Sequence, residues 1–316
     1  LAGSLAMVSA NAVEVAVTGK TEVTYMSKDI GVTGNPWGMG NALTFKGSGD
    51  VNGYTATYTT VLQDGGTLNT NSSETFASSS LMLDMGDMGT VGFDQGVGEF
   101  GVGTIDDKMP YAYEEIWTYV GGATSLAASG GTNQNVLGYK NTFMGYQLSI
   151  ELDPGQKASA GGSGDGGATG IDTPKGGYNY AITGSPFDGL NIGVGVGEED
   201  VSDTSFAEDR GYHTQFATYA IGGATVGYQR AENNGGSTGT ANSISQLYGI
   251  SFAVNENLAL SYNETLTDIG TGANKALDEK VQGFGASYTM GSAAVRIVSA
   301  KIKNKGSLAN ALDETA

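Results

Sequence analysis

The residues that could do chemistry are few and one-sided. The chain of 316 residues holds one histidine, His213, and no cysteine. A Ser-His-Asp triad would have to use that single imidazole. Multi-histidine and thiolate metal centres are excluded by the same counts. Carboxylates are plentiful: 33 Asp and Glu stand against 15 Lys and Arg, for a formal net charge of −18. Nucleic-acid binding, which needs basic patches, is excluded by that balance.

The acids gather in two stretches. In residues 96–132, Glu99, Asp106, Asp107, Glu114 and Glu115 face a single cation, Lys108. Large apolar groups lie between them: Phe100, Tyr111, Tyr113, Trp117 and Tyr119. The second stretch begins Glu198, Glu199, Asp200 and continues through Asp203, Glu208 and Asp209. Hard oxygen donors of this kind suit Ca²⁺, so Glu198, Glu199, Asp200 and Asp203 could hold one ion; the alternative is a solvated acidic loop. Two further motifs fail on context. Gly96-Val97-Gly98-Glu99-Phe100-Gly101 matches G-x-G-x-x-G, but a dinucleotide site needs a helix next, and Gly101-Val102-Gly103-Thr104 cannot start one. Gly161–Gly166 approaches a Ca²⁺-binding glycine repeat, but Asp165 comes one position early and the motif does not recur. No residue set supports catalysis, and no cofactor beyond that loop Ca²⁺ is expected.

The elements that position these groups follow a period of two. Val13, Val15, Val17, Val23 and Tyr25 share one parity; Glu14, Thr18, Lys20, Glu22 and Thr24 share the other. Tyr146, Leu148, Ile150 and Leu152 repeat the pattern, as do Leu258, Leu260 and Tyr262. Such alternation makes strands with one apolar face. About fifteen strands result, the first over 13–27, the second over 39–48 and the last over 293–303. The 52 glycines are interleaved with these strands, which excludes low-complexity disorder. No run reaches the roughly 18–20 apolar residues of a membrane helix.

Connection lengths alternate strictly. Short ones fall at 49–51, 85–87, 142–144, 185–187, 222–223, 254–256 and 290–292; long ones fall between them. A soluble sandwich has water at both ends and no reason for this rhythm. A membrane barrel inserted from one side has tight turns at one rim and long loops at the other. The fold class read from the sequence is therefore all-β, a transmembrane antiparallel up-and-down barrel of about 16 strands. The odd count of fifteen suggests that the last strand is missing from this chain. Residues 1–12 read as a residual signal peptide ending in Ala10-Asn11-Ala12, which leaves 13–316 as the barrel. His213 alternates with Gln215 and Ala217, so it is expected on the polar, lumen side of its strand.

On the Ala-Asn-Ala-Val-Glu-Val start, the strand rhythm, the acidity and the long loop after the fifth strand, the chain resembles the general bacterial porins, in particular the alphaproteobacterial type. The resemblance spans the whole mature chain. It implies a homotrimer of 16-stranded barrels in the outer membrane, in contact with lipid and lipopolysaccharide. It also implies passive diffusion of small hydrophilic solutes, with the third loop, about 96–132, folded into the lumen. One departure is that such porins end in a strand with a terminal aromatic residue, whereas this chain ends at Ala316. Burial against the inner wall would account for Phe100, Tyr111, Tyr113, Trp117 and Tyr119. The loop carboxylates would set a negative field in a narrow passage, which favours cations. Inward parity offers Lys20, Lys46, Lys140 and Arg296 as facing cations, either at a constriction or simply solvating the lumen. Two alternatives stay open: a channel selective for sugars or another solute, with the loop aromatics as a track, and a secreted surface-layer or adhesin β-protein.

Overall fold

The computed structural model describes residues 14–27, 35–63, 75–106, 108–120, 134–154, 176–200, 209–234, 242–270, 278–305 and 314–315. Expectations for residues 1–12, Gly161–Gly166, Asp107, Asp203 and Glu208 lie outside the described residues, as do the side chains of Tyr119 and Asp200.

Fifteen long strands and one short pairing make up the fold. They are β1 (Glu14–Tyr25), β2 (Trp37–Val51), β3 (Tyr54–Gln63), β4 (Thr75–Asp84), β5 (Thr90–Gln95), β6 (Gln134–Phe143), β7 (Tyr146–Asp153) and β8 (Gly176–Phe187). There follow β9 (Leu190–Asp200), β10 (Arg210–Ile221), β11 (Ala224–Asn234), β12 (Asn242–Ala253), β13 (Leu258–Gly270), β14 (Glu279–Met290), β15 (Ala293–Lys303) and β16 (Glu314–Thr315). All lie in one sheet in sequence order, each pairing antiparallel with the next. The sheet curls back on itself: Glu22 of β1 and Arg296 of β15 come within 4.0 Å.

Alternation along the strands separates two faces. In the β1–β2 register, Val17 pairs with Phe45, Val23 with Met39 and Tyr25 with Trp37. These side chains point away from the enclosed space, and Val17 is 56% and Val23 66% exposed. Val91, Phe93, Leu137, Ile182, Val194, Val226, Ile250, Leu260, Phe284 and Ile297 continue this exposed apolar face around the sheet. A soluble monomer does not leave so much contiguous apolar surface in water. A membrane-facing barrel does, because its strands satisfy every backbone group among themselves. Aromatic side chains gather near the short-turn rim, among them Phe143, Tyr146, Phe187, Tyr219, Phe252 and Tyr288, as expected at a membrane interface.

Two turns sit later than the sequence suggests. Gly49-Asp50 reads as a turn, yet β2 runs to Val51 and the reversal is made by Asn52 (φ 53°) and Gly53 (φ 85°). A two-residue turn matching strand twist needs positive φ at both positions, which Asn-Gly supplies most easily. Similarly, Ser185-Pro186-Phe187 belongs to β8 rather than to a turn, and the chain reverses at Asp188-Gly189. The register shifts between Gly184 and Phe187, so the proline occupies an irregularity where its missing N–H costs no ladder bond.

Candidate functional site: the loop inside the sheet

The longest connection, between β5 and β6, crosses the enclosed face of the sheet. At the end of β5 the buried Asp94 carboxylate accepts Val97 N–H at 2.7 Å and Glu99 N–H at 2.6 Å, which turns the chain inward. Phe100 follows, with no exposed surface. Its ring occupies space that two glycines leave open. A Cβ on Gly138 would lie 1.9 Å from Phe100 Cγ, and one on Gly92 would lie 3.0 Å from Phe100 Cζ.

Next comes a 3-10 turn, Gly101–Ile105, held by wall side chains. Gly101 N–H donates to Ser149 Oγ at 2.8 Å and Val102 N–H to Asn179 Oδ1 at 2.7 Å. The Asn179 amide in turn donates to Glu151 Oε1 at 2.9 Å. Val102 and Ile105 bury against Ala181, Phe216 and Leu247, with Met109 completing the cluster. Gln229 of β11 grips the chain on both sides of the turn's exit: its amide donates to Ile105 O and its carbonyl accepts Lys108 N–H, both at 3.3 Å. Asn263 of β13 donates to Pro110 O at 3.0 Å. Gly227 and Gly249 leave room for the Pro110 ring.

The far end docks on β14 and β15. A second 3-10 turn, Ile116–Tyr119, buries Ile116 with Val281, Ala300 and Ile302, and Val120 joins them. Tyr111 and Trp117 meet edge to face at 6.0 Å. The Tyr113 hydroxyl donates to Glu22 of β1, and the Arg296 guanidinium lies 4.4 Å from the Tyr113 ring centre. The loop thus runs from β5 to β15 along the inner wall and ties β1 to β15. Burial is what the large apolar groups of residues 96–120 gain by lying there.

The charged residues do not form one ring. Glu99 pairs with Lys140 Nζ at 2.7 Å, and that ammonium also sits 5.5 Å from the Phe100 ring centre. Lys140 therefore neutralises the base of the loop rather than facing it from across the space. Glu115 is buried, at 8% exposure, and Thr118 Oγ1 donates to it at 3.5 Å. Asp106 is exposed and Glu114 half-buried. Lys20 and Lys46 share the inward parity of Glu22 on β1 and β2. Among the described residues neither makes an ion pair.

One expectation is overturned. His213 is not on the inner face. Its neighbours Tyr212, Thr214 and Phe216 are the buried, inward residues, so His213 shares the outer face with Tyr219 and Ile221. Polarity at alternate positions did not mark the wet side here, because the inner side is covered by a loop. Of the four residues expected to hold Ca²⁺, the Asp200 side chain and Asp203 lie outside the described residues. Glu198 and Glu199 are consecutive in β9 rather than in a loop, and they project to opposite faces, one exposed and one buried. Among the described residues no three acidic or histidine groups converge.

Sequence reasoning missed the groups that hold the loop: Asp94, Ser149, Glu151, Asn179, Gln229 and Asn263. Their signal is a polar side chain at inward parity, which looks like ordinary lumen solvation until a loop covers it.

No protein-family model matches the chain, and no curated protein matches it. Solved structures do. A porin refined at 1.8 Å is 16% identical, with TM-score 0.63 over 96% of this chain and 97% of that one. An anion-selective porin from Comamonas acidovorans is 17% identical, with TM-score 0.64 and the same coverage. A multiple mutant of Rh. blastica porin is 14% identical, with TM-score 0.60 over 96% of both chains. The chain has the fold of these porins: an all-β sheet of antiparallel up-and-down strands in sequence order.

Proposed function

We propose that the protein is a passive diffusion channel for ions and small hydrophilic solutes across the bacterial outer membrane, and that it prefers cations. The observation that carries this reading is the loop laid along the inner wall from β5 to β15, which narrows the lumen without a bound group. The fold does not fix the sign of selectivity, since one structure with the same fold is an anion-selective porin. The preference rests on the residues. Loop stretch 96–120 carries Glu99, Asp106, Asp107, Glu114 and Glu115 against Lys108, and Lys140 of the wall pairs with Glu99. A focused negative field raises the local cation concentration. The partners in this reading are two further copies of the chain, outer-membrane lipid and lipopolysaccharide. No cofactor and no catalytic residue take part.

Reversal potentials of the reconstituted protein in planar bilayers under a KCl gradient test it. Cation preference is expected, and it should fall in Asp106→Asn/Asp107→Asn/Glu114→Gln. A folded protein that never conducts rejects the channel; anion preference in the wild type rejects the role given to the loop carboxylates. A solute-selective channel is disfavoured by the loop aromatics. Tyr111 and Trp117 pack against the buried cluster of Val102, Ile105 and Met109, so they are not free to form a track.

A further inference from the structure

The turns at the short-turn rim are not alike. Asn52-Gly53 and Asp188-Gly189 each reverse the chain between adjoining strands. The connection from β4 to β5 is longer: it runs over Met85–Gly89 and holds a 3-10 turn, Gly86–Met88. Side chains pin it in place. Asp84 Oδ1 accepts Gly86 N–H at 2.9 Å. From β6, the Tyr139 hydroxyl donates to Met88 O at 3.0 Å and the Asn141 amide donates to Asp87 O at 3.1 Å. Gly89 lies so close to β6 that a Cβ there would stand 2.6 Å from Lys140 O. These contacts hold the main chain of the turn and leave the Asp87 carboxylate exposed. Among the described residues that carboxylate makes no ion pair.

The pinned turn forms one side of a polar recess of about 510 Å³, lined by Asp87, Thr90, Lys140, Asn141, Thr142 and Gln147. Thr90 lies across from Lys140, and Thr142 across from Gln147. That register sets the four on the inner face of β5–β7, between the short-turn rim and the loop. The charges of the lining decide what it takes. Lys140 pairs with Glu99 at 2.7 Å, so no unmatched cation is left for an anion. Asp87 remains as an unmatched charge and attracts a cation. A bare divalent ion needs several converging oxygens, and among the described residues no such acidic group forms. A primary ammonium is satisfied by one charge-assisted contact to a carboxylate and neutral acceptors around it. The Thr142 hydroxyl and the Gln147 amide are both exposed. Each offers a donor and an acceptor, which matches a hydroxyl on the same small molecule.

We propose that this recess binds small primary ammonium ions that carry a hydroxyl group, the ammonium on Asp87 and the hydroxyl on Thr142 and Gln147. The site deepens the channel reading by naming a solute class, and its place on a solute's path through the lumen rests on that reading. The experiment titrates ethanolammonium chloride into the full-length chain refolded in detergent and follows binding by saturation-transfer NMR. Saturable binding is expected with a Kd of about 1 mM, the strength of one charge-assisted contact and its neighbours in an open recess. Asp87→Asn should weaken it about tenfold. Thr142→Val/Gln147→Leu, which keeps the charge, should weaken it about threefold to tenfold. Tetramethylammonium has no N–H and should not compete; glycerol has hydroxyls without charge and should not compete either. Circular dichroism certifies that each variant is folded. Unchanged binding in either variant overturns the proposal, as does equal competition by tetramethylammonium or by glycerol. Planar-bilayer conductance separates this site from the channel reading. A protein that conducts without saturable ethanolammonium binding rejects the site and leaves the channel. One that binds ethanolammonium without conducting rejects the channel and leaves the site.

Discussion

Gly40 and Gly138 both lie on the inner side of the sheet, and they are there for opposite reasons. A Cβ on Gly40 of β2 would meet nothing within 4 Å, whereas one on Gly138 of β6 would enter the Phe100 ring. The wall of β1–β3 meets the described loop residues through Glu22 and carries long polar groups such as Lys20 and Lys46. The wall from β5 to β15 meets the loop with glycine gaps, with polar groups such as Ser149, Asn179 and Gln229, and with apolar groups such as Phe216, Leu247 and Val281. A barrel that narrows its own lumen must therefore be asymmetric. One side is shaped as a mould for the loop, and the other is left to meet the solute.

The sharpest way to break this asymmetry is Phe100→Ala. Emptying a fully enclosed aromatic site costs about 3 kcal/mol, and urea unfolding of the refolded protein should show it. Single-channel records should then turn larger and noisier as the loop loosens. Asn179→Ala comes next. It removes the acceptor of Val102 N–H and leaves the buried Glu151 without its amide, a loss of about 2 kcal/mol. Asn179→Asp should not rescue it, because two buried carboxylates would face each other; rescue by Asp would refute the role given to the amide.

Gly138→Ala should cost about 1–3 kcal/mol by overpacking, while Gly40→Ala should be neutral or slightly stabilising, since glycine in a strand gains nothing there. Equal effects at the two positions would erase the distinction between the two walls. The smallest effect belongs to Lys140→Met. The Glu99 pair is partly exposed, at 25% and 31% of the side chains, so unfolding should shift by under about 1 kcal/mol. Selectivity is the better readout, because freeing Glu99 adds an unmatched carboxylate at the base of the loop.

Much of the fold was legible without coordinates. Residues such as Val15, Val17 and Val23 against Lys20 and Glu22 define two faces, because a strand's side chains alternate by covalent geometry alone. The rhythm of short and long connections chose the architecture for a similarly local reason, since turn length is written in the chain. Lys20, Lys46, Lys140 and Arg296 share the parity of Glu22 in the register of their strands. Parity failed at His213 for want of a reference. A polar residue is outward or inward only relative to what covers the other face, and here Phe216 is covered by a segment more than a hundred residues earlier in the chain.

The sequence by itself determined that this chain is an amphipathic up-and-down sheet with one long acidic, aromatic-rich connection, because periodicity and loop length are local properties. The tertiary structure decided the path of that connection: that Phe100 enters the gap at Gly138, that Asn179 and Gln229 hold its backbone, and that Glu99 is spent on Lys140 while Asp106 stays exposed. Those pairings join residues between about 40 and 124 positions apart. They exist only once the sheet has curled and brought its far strands under the same loop.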